Sequence, residues 1–161
     1  MNDDTITRRI AEGRALEQDG TEQQAIDYFL ALAAEYPDDA MVQFETGGAY
    51  DFAGYEAEAV PYYRRAIALS LPDAVLPQVA VQLGSSLRNL GQHEAAVQTL
   101  REGVERFPDH RALKAFLALA LHSAGKPAEA LALMIHMTVD APEFYERYQR
   151  SLRHYADALL D

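Results

Sequence analysis

Five histidines, His93, His110, His122, His136 and His154, are the residues best able to bind a metal or move a proton near neutral pH. A helix-borne zinc site places two of them one turn apart, as in HExxH, so that both rings reach one ion. No two histidines here are four residues apart, and no HExxH occurs. They read as surface or turn residues. Carboxylates are plentiful, but Asp3, Asp4, Asp38, Asp39, Glu102 and Glu105 read as solvated faces, helix caps and charges that suit a helix N-terminus. No GxSxG elbow is present, and no glycine spacing follows a strand or resembles a phosphate-binding loop. With no cysteine there is no thiolate nucleophile, no Cys-based zinc site and no disulfide framework. Met134, Ile135 and Met137 read first as core packing in a helix and second as interface residues. No catalytic constellation emerges. The sequence predicts a non-enzyme without cofactor or metal.

The elements that carry these residues are those of an ordinary soluble domain. The chain has 161 residues, 49% hydrophobic and 24% charged, enough for one domain or one short repeat array. No apolar run approaches the roughly 20 residues needed to span a bilayer, so membrane insertion is not expected. The opening "MNDDTITRR" lacks an apolar stretch, which makes a secretory signal unexpected and a cytoplasmic location the default. A net charge of −11 argues against nucleic-acid binding, which draws on Lys and Arg, and favours a basic partner.

A period organises the chain. Gly20, Gly54, Gly91 and Gly125 are spaced by 34, 37 and 34 residues. Five residues after each stands an alanine (Ala25, Ala59, Ala96, Ala130), and four further on a large apolar side chain (Phe29, Tyr63, Leu100, Met134). Seven before each is a very small residue (Gly13, Gly47, Gly84, Ala118), and four before is Leu16, Tyr50, Leu87 or Leu121. Pro37, Pro108 and Pro142 close three units; "LSLPDAVLP" closes the second and contains its three extra residues. Apolar spacing is helical up to each glycine and resumes after it. Each unit therefore predicts a helix, a tight turn and an antiparallel second helix. The small residue and the constant alanine are expected to face each other, letting the two backbones approach. That accounts for Gly47 as a packing residue and Gly54 as a turn residue, but leaves the adjacent Gly48 unassigned.

This pattern resembles the tetratricopeptide repeat, from about residue 6 to 142, with "LGSSLRNLGQHEAAVQTLREGVERFP" the clearest unit. It is similar in particular to small stand-alone bacterial proteins of that class. The resemblance implies an all-α, right-handed α-solenoid of four helix–turn–helix units, about 6–39, 40–76, 77–110 and 111–142. The family's tryptophan position holds Arg9, Gln43, Ala80 and Lys114, and its leucine before the small residue is replaced by Glu12 and Thr46, so units one and two are looser matches and are expected to be less stable. Pro61 removes one backbone donor from the second helix of unit two and is expected to bend it slightly. After Pro142, Phe144, Tyr148, Leu152, Tyr155 and Leu159 mark one face of a further helix, about 143–160. It reads as a cap over the last repeat, or alternatively as a self-association helix.

The resemblance also implies a concave groove lined by the first helix of each unit. Carried onto this chain, its positions are Arg14 and Glu17; Met41, Glu45, Gly48 and Asp51; Gln78, Gln82, Ser85, Arg88 and Asn89; and Phe116, Leu119 and His122. Members that clamp a terminal carboxylate carry Lys, Arg and Asn where this chain has Ile10, Arg14, Glu45, Gln78 and Gln82, so that variant is disfavoured. A groove taking an extended peptide or helix fits better: the amides and Ser85 can bond a peptide backbone, and Arg88 a carboxylate. Gly48 has two readings, a neutral substitution or a bare backbone against which a ligand lies. The expected function is protein–protein interaction, as adaptor or scaffold, with a structural homo-oligomer, such as a homodimer, as the alternative.

Overall fold

A computed structural model describes residues 2–19, 21–141, 153, 156, 157 and 160. Eight α-helices follow one another: α1 Asn2–Asp19, α2 Glu22–Glu35, α3 Ala40–Phe52, α4 Glu56–Ala68, α5 Leu76–Asn89, α6 His93–Arg106, α7 Arg111–Ser123 and α8 Pro127–Val139. There is no strand among the described residues. Each helix packs on the next in sequence; beyond that, α1 touches α3, α3 touches α5 and α5 touches α7. No such contact joins α2 to α4 or α4 to α6. The odd helices are thus the closer-spaced row. They line the inner side of the array, and the fold is an all-α solenoid.

The turns follow from the period. Gly54, Gly91 and Gly125 have φ of 79°, 73° and 75°, a left-handed conformation that a side chain would strain. In each of these three turns the amide after the glycine donates to the carbonyl four residues before it: Tyr55 to Tyr50, Gln92 to Leu87 and Lys126 to Leu121, each at 2.9 Å. This is the bond that closes a helix on a left-handed residue. In the longer second connection the left-handed residue is Ser70, φ 64°, followed by the buried anchor Leu71. Side chains cap the starts of α2, α3 and α7. Asp39 accepts from the Val42 amide at 2.9 Å, and Thr21 and Gln24 form a reciprocal capping box.

The small residues let the helix pairs close, with a different neighbour from the one expected. A Cβ on Gly13 would lie 2.4 Å from the Phe29 ring, on Gly47 2.7 Å from the Tyr63 ring, and on Gly84 2.4 Å from Leu100. The space above each glycine is therefore filled mainly by the large side chain of the second helix. The constant alanine, buried in every unit, adds its backbone at Gly47, where Ala59 O is 3.3 Å from the would-be Cβ. Phe29, Tyr63 and Leu100 are 0–1% exposed, and burying each stabilises the fold by about 1.5–3 kcal/mol.

Thr46, a departure from the usual pattern, is fully buried, and its hydroxyl lies 2.7 Å from Val42 O and 3.3 Å from Phe29 O. The polar atom is satisfied, so Thr46 is not a packing defect. Glu12 stays at the surface and accepts from the Tyr28 hydroxyl at 3.0 Å. Pro61 sits inside α4, which continues through it.

The first turn glycine Gly20, Pro142, His154 and the apolar face Phe144, Tyr148, Leu152, Tyr155 and Leu159 lie outside the described residues. Near the C-terminus, Arg153 pairs with Asp140 at 2.5 Å, His136 Nε2 is 3.1 Å from Asp157 Oδ1, and Ala156 is fully buried.

Candidate functional site

The inner row of helices encloses a cleft of about 470 Å³. Helix α1 contributes Arg14 and Glu17; α3 contributes Phe44, Glu45, Gly48, Asp51 and Phe52; α5 contributes Gln78 and Gln82. On α3, residues 45, 48, 51 and 52 fall on one face because they recur at three- and four-residue intervals. Gly48 has no atom within 4 Å of a would-be Cβ, so it plays no part in helix packing and leaves bare backbone in the cleft.

Charge in the cleft is unevenly matched. Glu45, 6% exposed, receives Arg14 in a two-pronged pair, Nε to Oε2 at 3.0 Å and Nη2 to Oε1. That pairing raises the Arg14 pKa and holds both side chains. Glu17 forms no salt bridge among the described residues; burial, then the Glu45 charge, raises its pKa against the smaller opposing effect of the Arg14 charge. Asp51 accepts from Ser86 Oγ at 2.7 Å and from the Tyr63 hydroxyl at 3.2 Å, both neutral donors. Burial outweighs those bonds and raises its pKa, and burial with the Asp51 charge raises that of Tyr63 as well. Gln82 Oε1 is buried without a hydrogen-bond partner among the described residues. Phe52, at the rim, is 63% exposed.

Of the groove positions read from the sequence, Arg14, Glu17, Glu45, Gly48, Asp51, Gln78 and Gln82 come together in this cleft. The others do not line it. Arg88 Nη2 donates to Asn89 Oδ1 at 3.0 Å, and Asn89 Nδ2 donates to Glu56 at 3.0 Å, tying both to the α4 start. Ser85 is half-buried, and Phe116 packs partly against the core. Leu119 and His122 line a separate, apolar concavity with Ala118, Leu131 and Met134, between α7 and α8. Met41 packs against the core, and Ile10 is buried in it. Sequence reasoning missed Phe44, Phe52, Ser86 and the Tyr63 hydroxyl. Tyr63 read only as a large packing residue, and Ser86 was masked by its neighbour Ser85.

Three of the described histidines make contacts that hold the fold, while His122 lines the apolar concavity. His110 caps α7, His93 Nδ1 contacts Ser123 O at 2.6 Å, and His136 faces Asp157. Among the described residues no group of three or more His, Asp or Glu is placed to hold a metal ion. None of the described helices is long and apolar enough to cross a membrane.

Paired antiparallel helices, a small residue under a large one and a left-handed glycine between them define a helical-repeat solenoid. The chain belongs to the tetratricopeptide repeat family: the family profile described as Tetratrico peptide repeat matches residues 40–159. No protein of curated function matches its sequence. Among solved structures, its fold is similar to a crystal structure of MamA at 19% identity, TM-score 0.72, covering 91% of this chain and 89% of that one. It is similar also to a putative kinesin light chain of Podosopora anserina with nearly identical TPR-like repeats, at 20% identity and TM-score 0.70, covering 97% and 92%. An O-GlcNAc transferase mutant from Thermobaculum terrenum matches at 19% identity and TM-score 0.63 over 94% of this chain but 25% of its own. At these identities the likeness is one of fold.

Proposed function

We propose that this protein is a non-enzymatic adaptor or scaffold whose inner cleft holds a segment of a partner protein. Proteins of this repeat family generally serve as protein–protein interaction modules. The observation that carries the reading here is Gly48, a helix-interior glycine that costs roughly 0.8–1 kcal/mol against Ala. It packs against nothing and leaves bare backbone in a cleft built by three successive units. Side chains with both donors and acceptors, Gln78 and Gln82, sit beside it, as backbone recognition requires. The test is affinity capture from the native host with wild type and with Gly48→Leu, which projects a side chain into the cleft. Selective loss of a captured protein, with the fold intact by circular dichroism, supports the reading. Identical captures from both variants refute it.

A second reading, a homo-oligomer, rests on the apolar concavity where Leu119, Leu131 and Met134 are 49%, 52% and 39% exposed. Light scattering on a size-exclusion column separates the two. A mass of one chain at all concentrations removes the oligomer.

A further inference from the structure

The cleft carries three carboxylates and one cation. Arg14 is paired with Glu45, which leaves Glu17 and Asp51 without a salt bridge of their own among the described residues; the Arg14 charge acts on Glu17 only as the smallest of the influences on it. Both are partly withdrawn from water, and burial raises both pKa values, so each is held in surroundings that disfavour its own charge. Two further features belong to the same cleft. Gln82 Oε1 is a buried acceptor with no donor among the described residues, a state that is normally filled. Phe52 is a largely exposed aromatic at the rim of the same cleft. One chemical group satisfies all of these at once. A guanidinium offers five N–H donors in a plane, pairs with carboxylates, stacks on an aromatic face and reaches inward on a long apolar stem.

We propose that the partner segment inserts a cationic side chain, arginine in preference to lysine, into the cleft over Gly48, where Glu17 and Asp51 receive its charge. The inference rests on the cleft being the partner-binding site and specifies its occupant. The amide of Gln82 takes one of the N–H donors, and Phe52 covers the stem. The absence of a side chain at 48 is what lets the stem lie against α3. A chain of net charge −11 draws such a segment in from a distance as well.

The experiment is selection of random 12-residue peptides displayed on phage against the immobilised full chain. Enriched peptides are then synthesised and titrated by fluorescence anisotropy. The expected result is a recurring arginine or lysine at one position. Its replacement by citrulline, the neutral isostere, weakens binding tenfold or more. The Glu17→Gln, Asp51→Asn double variant, folded by circular dichroism, loses a comparable factor for the arginine peptide and little for the citrulline one. Peptides without a recurring cation, or a citrulline peptide bound equally well, overturn the cationic inference. If Gly48→Leu still abolishes binding in that case, the cleft reading stands alone. Failure to enrich any peptide, or binding indifferent to Gly48→Leu, overturns both. Spermine at millimolar concentration is the control for a free small cation. Thermal stabilisation by spermine that equals the peptide's and is lost in the double variant would replace the protein segment with a polyamine.

Discussion

Ser86 and Asp51, 35 residues apart in the chain, meet across the α3–α5 contact with Ser86 Oγ 2.7 Å from Asp51 Oδ1. Ser86 is fully buried, and its hydroxyl also lies 2.9 Å from Gln82 O. This bond, with that from the Tyr63 hydroxyl, holds a half-buried carboxylate in place between two repeats. Ser86→Ala strips one of the two donors and should cost about 1–3 kcal/mol in urea unfolding. Ser85→Ala, next door but without a side-chain bond, should stay within about 0.5 kcal/mol. Equal losses at the two serines would mean that the bond does not hold the repeats together.

Glu17 and Asp51 give stability a dependence on pH opposite to that of an ordinary surface salt bridge. Both carboxyls have folded pKa values raised chiefly by burial, so the folded chain holds their protons more tightly than the unfolded one. Their charging therefore weakens the fold as pH rises from the usual carboxylate range through the folded pKa, and acidification over that window relieves the cost. Glu35 and Asp140 run the other way. Hydrogen bonds from Arg9 and Arg153 lower their pKa values, and their contributions are lost as pH falls. Melting temperatures from pH 7 down through the usual carboxylate range should show wild type gaining on the Glu17→Gln, Asp51→Asn variant as the pH drops. Parallel curves would contradict the assigned burial.

Gly47 and Gly48 are adjacent in sequence and opposite in consequence. A methyl on Gly47 meets the Tyr63 ring at 2.7 Å, and that ring cannot slide away because its hydroxyl is fixed to Asp51 and the side chain is fully buried. Gly47→Ala should cost about 1–3 kcal/mol through overpacking. Gly48→Ala meets nothing and should gain about 0.8–1 kcal/mol through helix propensity. Chemical denaturation of the two variants decides the point. A loss at Gly48 would show that it is packed after all.

Much of this architecture was legible in the residue pattern because repetition reports three-dimensional contacts that a single helix does not. The turn glycines were readable since a left-handed residue strongly favours glycine. The small-over-large pairing was readable in position but not in partner: the period places Gly47 opposite the second helix without saying that Tyr63, rather than Ala59, fills the space. Thr46 shows a second limit. It breaks the apolar pattern, yet its hydroxyl reaches Phe29 O, 17 residues away, a partner that no local pattern reveals. In the cleft, positions on α1, on α3 and in the first half of α5 converge as the family register implies. Ser86 was missed because one residue along a helix turns the side chain by about 100°, from the read position at Ser85 onto Asp51. Phe116 and His122 fall away because the cleft ends with α5.

The last repeat offers a final test, since two apolar positions of its second helix are far more exposed than their counterparts in the other units. Six residues after the turn glycines, Ile26, Val60 and Val97 are 3–5% exposed, while Leu131 is 52% exposed. Nine residues after them, Phe29, Tyr63 and Leu100 are at most 1% exposed, and Met134 is 39% exposed. In the first three units the next unit's first helix packs over this face, as α3 does on α2, α5 on α4 and α7 on α6. The fourth unit's apolar side chains keep the register but not the burial. Alanine at position 118, where units one to three carry glycine, fits the same picture, since it shares its concavity with the partly open Met134 instead of a fully buried side chain. Leu100→Ala should therefore cost about 2–5 kcal/mol, as expected for a buried leucine. Met134→Ala, at the equivalent position, should cost less than about 1 kcal/mol, because water already reaches much of the side chain. Both are measured by urea denaturation at several protein concentrations. A large, concentration-dependent loss at Met134 would show that a second copy covers this face, and a large concentration-independent loss would show that the chain itself does.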